Sequence, residues 1–101
     1  MQKLIETTLA AAREQYLAYG FDDSEIETLL GVGERDLRHA LAGVEKLLDS
    51  EDREALDDAL HAVRGLLLHM GNSEAAENFT ELRFGSDDVQ SISKIRTLLS
   101  E

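Results

Sequence analysis

The sequence predicts an all-α fold, because its composition and its apolar spacing both favour long helices. Its 101 residues include no proline, so nothing blocks helix continuation. Leucine, alanine and glutamate are common, whereas β-branched residues are few. Apolar residues also recur at spacings of three and four, the pattern of a helix with one buried face. At this length, we expect residues 1–101 to form a single domain.

The first predicted helix covers residues 2–19 and ends at Gly20. Its apolar residues are spaced as one buried stripe requires. The members of this stripe are Ile5, Leu9, Ala12, Tyr16 and Tyr19.

The second predicted helix begins with a capping box at Ser24 and Glu27, in which each side chain satisfies a free backbone N–H group. Gly31 and Gly33 interrupt its pattern, each at a cost of about 1 kcal/mol relative to alanine. We therefore expect a kink or break between these glycines and Leu37, with the element ending near residue 49.

The third predicted helix is central to the fold, with Ser50 as its N-cap and Gly71 at its end. Its buried stripe is Leu56, Leu60, Val63, Leu67 and Met70. At about 1.5 to 3 kcal/mol per buried large apolar side chain, this stripe contributes on the order of 10 kcal/mol before ordering entropy is subtracted.

Two further helices complete the predicted fold. A short helix runs from about Ser73 to Leu82, with Ala76 and Phe79 facing inward. A last helix starts at Gly85 and Ser86, and its buried face comprises Val89, Ile92, Ile95 and Leu99. Because the connections between the four longer helices are short, we expect an up-and-down antiparallel four-helix bundle with one extra short helix.

The composition also limits the classes of function. The chain is 43% hydrophobic and 31% charged, as expected of a protein that folds, and its formal net charge of −11 argues against nucleic acid and favours protein partners. It has no cysteine, no apolar run approaching the roughly 18 residues of a membrane span and no signal-peptide pattern. We therefore expect no membrane association and a cytoplasmic location. The starting methionine and the compact length favour a free-standing protein.

One face of the third helix carries the candidate site. On a helical wheel, His61 lies about 140° from the mean direction of the buried stripe, so it should face solvent. Arg64 lies at the edge of this face, three positions on and within reach of the imidazole. Gly65 costs about 1 kcal/mol in mid-helix and would leave a notch through which another protein could approach the ring. The same face should carry Glu54 and the candidate partner-binding residues Leu68, Asp58 and Asn72.

The segment from His61 to Gly71 resembles the signature of the histidine-containing phosphotransfer (HPt) family. That signature is a histidine, any residue, an apolar residue, a lysine or arginine and a glycine, with a further glycine ten positions after the histidine. The matching residues are His61, Val63, Arg64, Gly65 and Gly71, and the similarity extends over roughly residues 21–100.

The resemblance implies a fold, a function and partners. Family members are four-helix bundles, monomeric by default, that carry a phosphoryl group on the histidine between receiver-domain aspartates of two-component phosphorelays. It thus implies that His61 is the phosphoacceptor, with response-regulator receiver domains and a hybrid sensor histidine kinase as partners. Such a protein is a phosphoryl carrier rather than a stand-alone catalyst, and it needs no cofactor because the receiver supplies magnesium. A neutral imidazole suits the role, and Arg64 could offset a phosphoryl charge near −2.

Other interpretations of the same residues make different predictions. A non-catalytic acidic helical module would dock on receiver domains without being phosphorylated, whereas a phosphorelay protein must form an acid-labile phosphohistidine. A metal site at His61 and His69 is not expected, because these side chains diverge by about 80° around the helix. A hydrolase using Glu54 and Asp58 would need a concave pocket, which a small filled bundle rarely supplies.

Overall fold

All the regular secondary structure in the described part of the chain is helical. The computed structural model describes residues 1–80 and 88–101. Its helices are α1 (Gln2–Ala18), α2 (Asp23–Leu47), α3 (Arg53–His69), α4 (Ser73–Thr80) and α5 (Asp88–Ser100). The all-α prediction is confirmed. Within the described ranges, no helix has both the length and the apolar character that crossing a membrane requires.

Some predicted features fall outside these ranges. The sequence predicts a helix end at Leu82, a helix start at Gly85 and Ser86, and a buried side chain at Val89. These three residues and the Val89 side chain lie outside the described residues.

The corner between α1 and α2 differs from the prediction at two positions. Gly20 has a φ of +89°, a value that favours glycine, and it ends the helical turn as expected. Tyr19 was predicted to be buried, but it is the C-cap residue that follows the last residue of α1, and it is 68% exposed. The capping box is also two residues earlier than Ser24: Asp22 accepts a hydrogen bond from the Glu25 backbone N–H at 2.8 Å, and the Glu25 side chain accepts one from the Asp22 N–H at 3.1 Å.

Of the kink or break predicted in α2, the break is wrong, because the helix is continuous from Asp23 to Leu47. Buried Leu30 and Leu37 stand on either side of the glycines and keep this stretch packed against the core. Gly33 also has a packing role, since a Cβ built on it would lie 2.7 Å from Cε of the buried Met70. Tertiary packing therefore outweighs the helix propensity of the glycines.

The start of α3 is capped by Asp52 rather than by the predicted Ser50. The Asp52 side chain accepts a hydrogen bond from the Ala55 backbone N–H at 3.0 Å. Ser50 instead stabilises the preceding turn, where its hydroxyl donates to the Leu47 carbonyl at 3.0 Å and accepts from the Asp52 N–H at 3.2 Å.

The core lies between α3 and its neighbours. α3 packs against α2 and α4, α1 packs against α2, and α5 contacts α1 and α2. The predicted stripe of α3 is confirmed, since all five of its members are buried. The inward positions of Ala76, Phe79, Ile95 and Leu99 are confirmed as well, and Ile92 is partly buried against the same cluster.

Candidate functional site

The candidate site lies in the middle of α3, on the side away from the core. Leu60 and Val63 are buried on either side of His61 in the sequence. Since successive residues in a helix are separated by about 100°, His61 is turned outward, and its side chain is exposed as predicted. The imidazole therefore stands on a helix held by core packing, about two turns from either end.

Arg64 contacts the imidazole of His61 directly. One of its guanidinium nitrogens, Nη2, lies 2.5 Å from Nδ1 of the ring. A guanidinium has hydrogen-bond donors only, so Nδ1 accepts in this pair. Arg64 is partly buried and His61 is exposed, which places a fixed positive charge beside an accessible ring.

Gly65 lies one turn after His61 and leaves the helix surface open there. Apart from the two chain neighbours and the adjacent backbone of α3, no heavy atom of the described residues comes within 4 Å of a Cβ built at this position, so packing does not require a glycine. Because helical side chains lean towards the N-terminus, a larger residue at position 65 would lean over the turn that carries His61. Gly31 and Gly43 have equally open surroundings. What sets Gly65 apart is therefore its place beside the histidine.

Leu68 and Asp58 are both exposed on α3, as predicted. Leu68 is 55% exposed and lies two turns from His61, nearly in line with it along the helix. Asp58 lies three positions before His61 and so borders the ring on its N-terminal side. Glu54 is exposed one turn further away.

An aromatic cleft borders Leu68, and sequence reasoning did not find it. The cleft has a volume of about 410 Å³, and its lining is Gln15, Tyr16, Tyr19, Phe21, Leu29, Leu68 and His69. The rings of Tyr16 and Phe21 meet edge to face, with centroids 5.8 Å apart. The sequence signal for this cleft was the pair Tyr16 and Tyr19, two aromatic residues at the end of the predicted buried stripe of the first helix.

The outward position predicted for Asn72 is wrong. Asn72 is only 7% exposed, and its amide donates a hydrogen bond to Thr8 Oγ1 at 2.8 Å. α3 ends at His69 and Gly71 takes a φ of +84°, so the helical wheel does not extend to residue 72. The Asn72 side chain instead accepts from the Ala75 N–H at 3.2 Å, as a cap of α4. It is not part of the exposed face.

The other two histidines lie apart from this arrangement. His39 is exposed on α2, and His69 is exposed at the end of α3, where it lines the aromatic cleft. Among the described residues, no group of three or more histidine, cysteine or acidic side chains could hold a metal ion. The structure thus brings together His61, Arg64, Gly65, Asp58 and Leu68 on one face of α3.

Comparison with family models, curated proteins and solved structures found no match to the chain. The resemblance to the HPt family therefore depends on the motif from His61 to Gly71 and on its setting in a helical protein.

Proposed function

We propose that this chain is a histidine phosphotransfer protein of a two-component phosphorelay. In this proposal His61 accepts a phosphoryl group from a receiver-domain aspartate or a kinase and passes it to another receiver-domain aspartate. The observation that carries the proposal is an exposed imidazole in mid-helix, contacted by a cation at 2.5 Å and followed one turn later by an open glycine.

Each residue of the site has a distinct role in this proposal. A neutral imidazole is a good nucleophile near neutral pH, which suits His61. Arg64 lies close enough to pair with a phosphoryl group on the ring, and at this partly exposed position its direct contribution is at most about 1 kcal/mol. Gly65 admits the partner, while Leu68 and Asp58 contact it. The receiver domain supplies the acidic pocket and its magnesium ion, so the chain acts as a phosphoryl carrier.

We also propose an arrangement for the five helices. α1, α2, α3 and α5 form an up-and-down antiparallel bundle, with α4 as the extra short helix. The short connections between α1 and α2 and between α2 and α3 support this topology, as do the contacts of α5 with α1 and α2. The protein would work as a monomer in the cytoplasm, where a hybrid sensor kinase and response regulators are its partners.

A transfer assay tests the proposal. The chain is mixed with a receiver domain that carries a labelled phosphoryl group on its aspartate, and the label on the chain is followed over time. We expect the wild type and His39→Gln to be labelled at similar rates and His61→Gln to remain unlabelled. Since all three histidines are exposed, His39→Gln is a matched control for the loss of a surface imidazole. No label on the wild type, or equal label on His61→Gln, would overturn the proposal.

The second candidate is an acidic helical module that docks on receiver domains without phosphorylation. The exposed apolar residues Tyr19, Phe21 and Leu68 favour it, because binding at this surface would not need a nucleophile. The two candidates separate in the same assay. A docking module binds the receiver domain and leaves the phosphoryl group on its aspartate.

A further inference from the structure

The contact between Arg64 and His61 defines where the imidazole carries its proton. The guanidinium can only donate, so Nδ1 must present its lone pair to Arg64 Nη2. A doubly protonated ring has no such lone pair, and a neutral ring carries a single proton. As a hydrogen bond, this contact therefore requires the neutral ring that carries its proton on Nε2.

In this tautomer neither ring nitrogen is available to attack phosphorus. A ring nitrogen that carries hydrogen has no in-plane lone pair, so Nε2 cannot attack phosphorus while it is protonated. Nδ1 has the lone pair, but Arg64 occupies it. Nδ1 is also the nitrogen nearer the backbone, where the helix hinders an incoming group.

We propose that Arg64 is a positioning residue that holds unphosphorylated His61 in the Nε2–H tautomer. An arriving phosphoryl group then attracts Arg64 away from Nδ1 of the ring. We call the stabilisation of this tautomer by Arg64 the hold, and the departure of Arg64 from Nδ1 the release. The hold depends only on the contact at Nδ1, whereas the release rests on the proposed phosphotransfer function. Arg64 would then act before the transfer, through His61, as well as on the phosphoryl group afterwards.

The release follows from the relative strengths of two interactions. A hydrogen bond from a guanidinium to phosphoryl oxygens joins opposite charges and can be bidentate, whereas the bond to a neutral imidazole joins one charge to one dipole. A doubly charged aspartyl phosphate brought to the face of α3 should therefore outcompete Nδ1 for Arg64. An uncharged partner surface would leave the hold in place.

The transfer can then be written with every atom assigned. Once Arg64 leaves Nδ1, exchange with water moves the ring proton from Nε2 to Nδ1. The Nε2 lone pair attacks phosphorus, an N–P bond forms, and the P–O bond to the aspartate breaks with its electron pair left on the carboxylate. The proton on Nδ1 passes to water, which leaves a neutral ring bearing the phosphoryl group.

The tautomer of His61 can be measured without any phosphoryl donor. Two-bond ¹H–¹⁵N correlation spectra at about pH 9, where imidazole side chains are neutral, report the ratio of Nε2–H to Nδ1–H for each histidine. We expect this ratio at His61 to be about two- to fivefold higher in the wild type than in Arg64→Gln, as a modest hydrogen bond implies. Arg13→Gln is the matched control. It removes an exposed arginine whose partner is Glu27 and not a histidine. His39 in the same spectra serves as an internal reference.

The outcomes distinguish the hold from the proposed function. Equal His61 ratios in the wild type and Arg64→Gln would overturn the hold, and so would an equal change in Arg13→Gln. If the ratio responds to Arg64→Gln but His61 accepts no label from a receiver domain, the hold stands and the phosphotransfer proposal fails. If His61 is labelled but its ratio does not respond, the phosphotransfer proposal stands and the hold fails.

Discussion

Asn72 and Thr8 are joined by a buried hydrogen bond in which the Asn72 amide donates to Thr8 Oγ1 at 2.8 Å, across 64 positions of sequence. The Thr8 hydroxyl in turn donates to the Leu4 carbonyl at 2.7 Å, and Asn72 Oδ1 accepts from the Ala75 N–H. This pair fixes the junction between α3 and α4 against α1. It also holds the C-terminal end of the helix that carries His61.

Removing this pair should destabilise the fold. We expect Asn72→Ala to lower the free energy of unfolding by about 1 to 3 kcal/mol, because it removes a helix cap and the amide that donates to the buried Thr8 oxygen. Thr8→Val should also destabilise, and the double variant should lose less than the sum of the two. Denaturant unfolding measures all three. Strictly additive losses would show that the two side chains do not interact.

Glycine at position 65 should make the fold less stable than alanine would, while leaving His61 accessible for phosphoryl transfer. We expect Gly65→Ala to raise the free energy of unfolding by up to about 1 kcal/mol, because its Cβ meets nothing within 4 Å and alanine is the better helix former. Gly65→Leu should keep the fold and slow phosphoryl transfer from a receiver domain roughly ten- to hundredfold, because its side chain obstructs the approach to His61.

Gly43 provides the control for this prediction, since a Cβ there also meets nothing within 4 Å. Gly43→Ala should stabilise the chain to a similar extent, and Gly43→Leu should leave the transfer rate unchanged. An unaltered rate in Gly65→Leu would show that the notch has no role in access.

The positive φ at the end of α3 should require glycine at position 71. Its φ of +84° lies in a region where a side chain costs about 1 to 2 kcal/mol, and a Cβ there would stand 2.9 Å from Gln15 Oε1. Gln15 Nε2 donates to the His69 carbonyl at 3.0 Å, so Gly71→Ala would also disturb the end of α3. We expect a loss of at least about 1 kcal/mol in thermal or denaturant unfolding. A variant as stable as the wild type would contradict this account of the helix stop.

Leu68 should contribute to partner binding more than to stability. Because it is 55% exposed, Leu68→Ala should change the free energy of unfolding by less than about 0.5 kcal/mol. We expect it to weaken binding to a receiver domain by about three- to tenfold, as measured by titration calorimetry. Leu17→Ala, at a residue 54% exposed on α1, is the matched control and should bind normally. Equal affinity in the two variants would remove Leu68 from the interface.

Helical periodicity was sufficient to predict the buried stripe of α3 and the orientation of His61. The stripe of α3 and the outward position of His61 both follow from the period of the helix, because neither depends on where the helix begins or ends. The contact between Arg64 and the ring also follows from a spacing of three. Its atomic detail, the acceptance by Nδ1, required the structure.

Helix ends and long-range packing could not be predicted in the same way. Asp22 and Asp52 cap helices for which Ser24 and Ser50 offered equally suitable oxygens, and local sequence does not rank such neighbours. The outward position of Asn72 failed because a helical wheel was continued past the stop at Gly71. Gly33 in α2 packs against Met70, a residue 37 positions away in the sequence, and local sequence does not reveal such a contact.

The most direct test of the central claim is to locate the phosphoryl group itself. After incubation with a phosphorylated receiver domain, ³¹P NMR of the wild type should show one phosphoramidate signal that is lost in acid and stable in base. The signal should persist in His39→Gln and His69→Gln and be absent from His61→Gln. A phosphoramidate that remains in His61→Gln, or none in the wild type, would contradict the assignment of His61 as the phosphoacceptor.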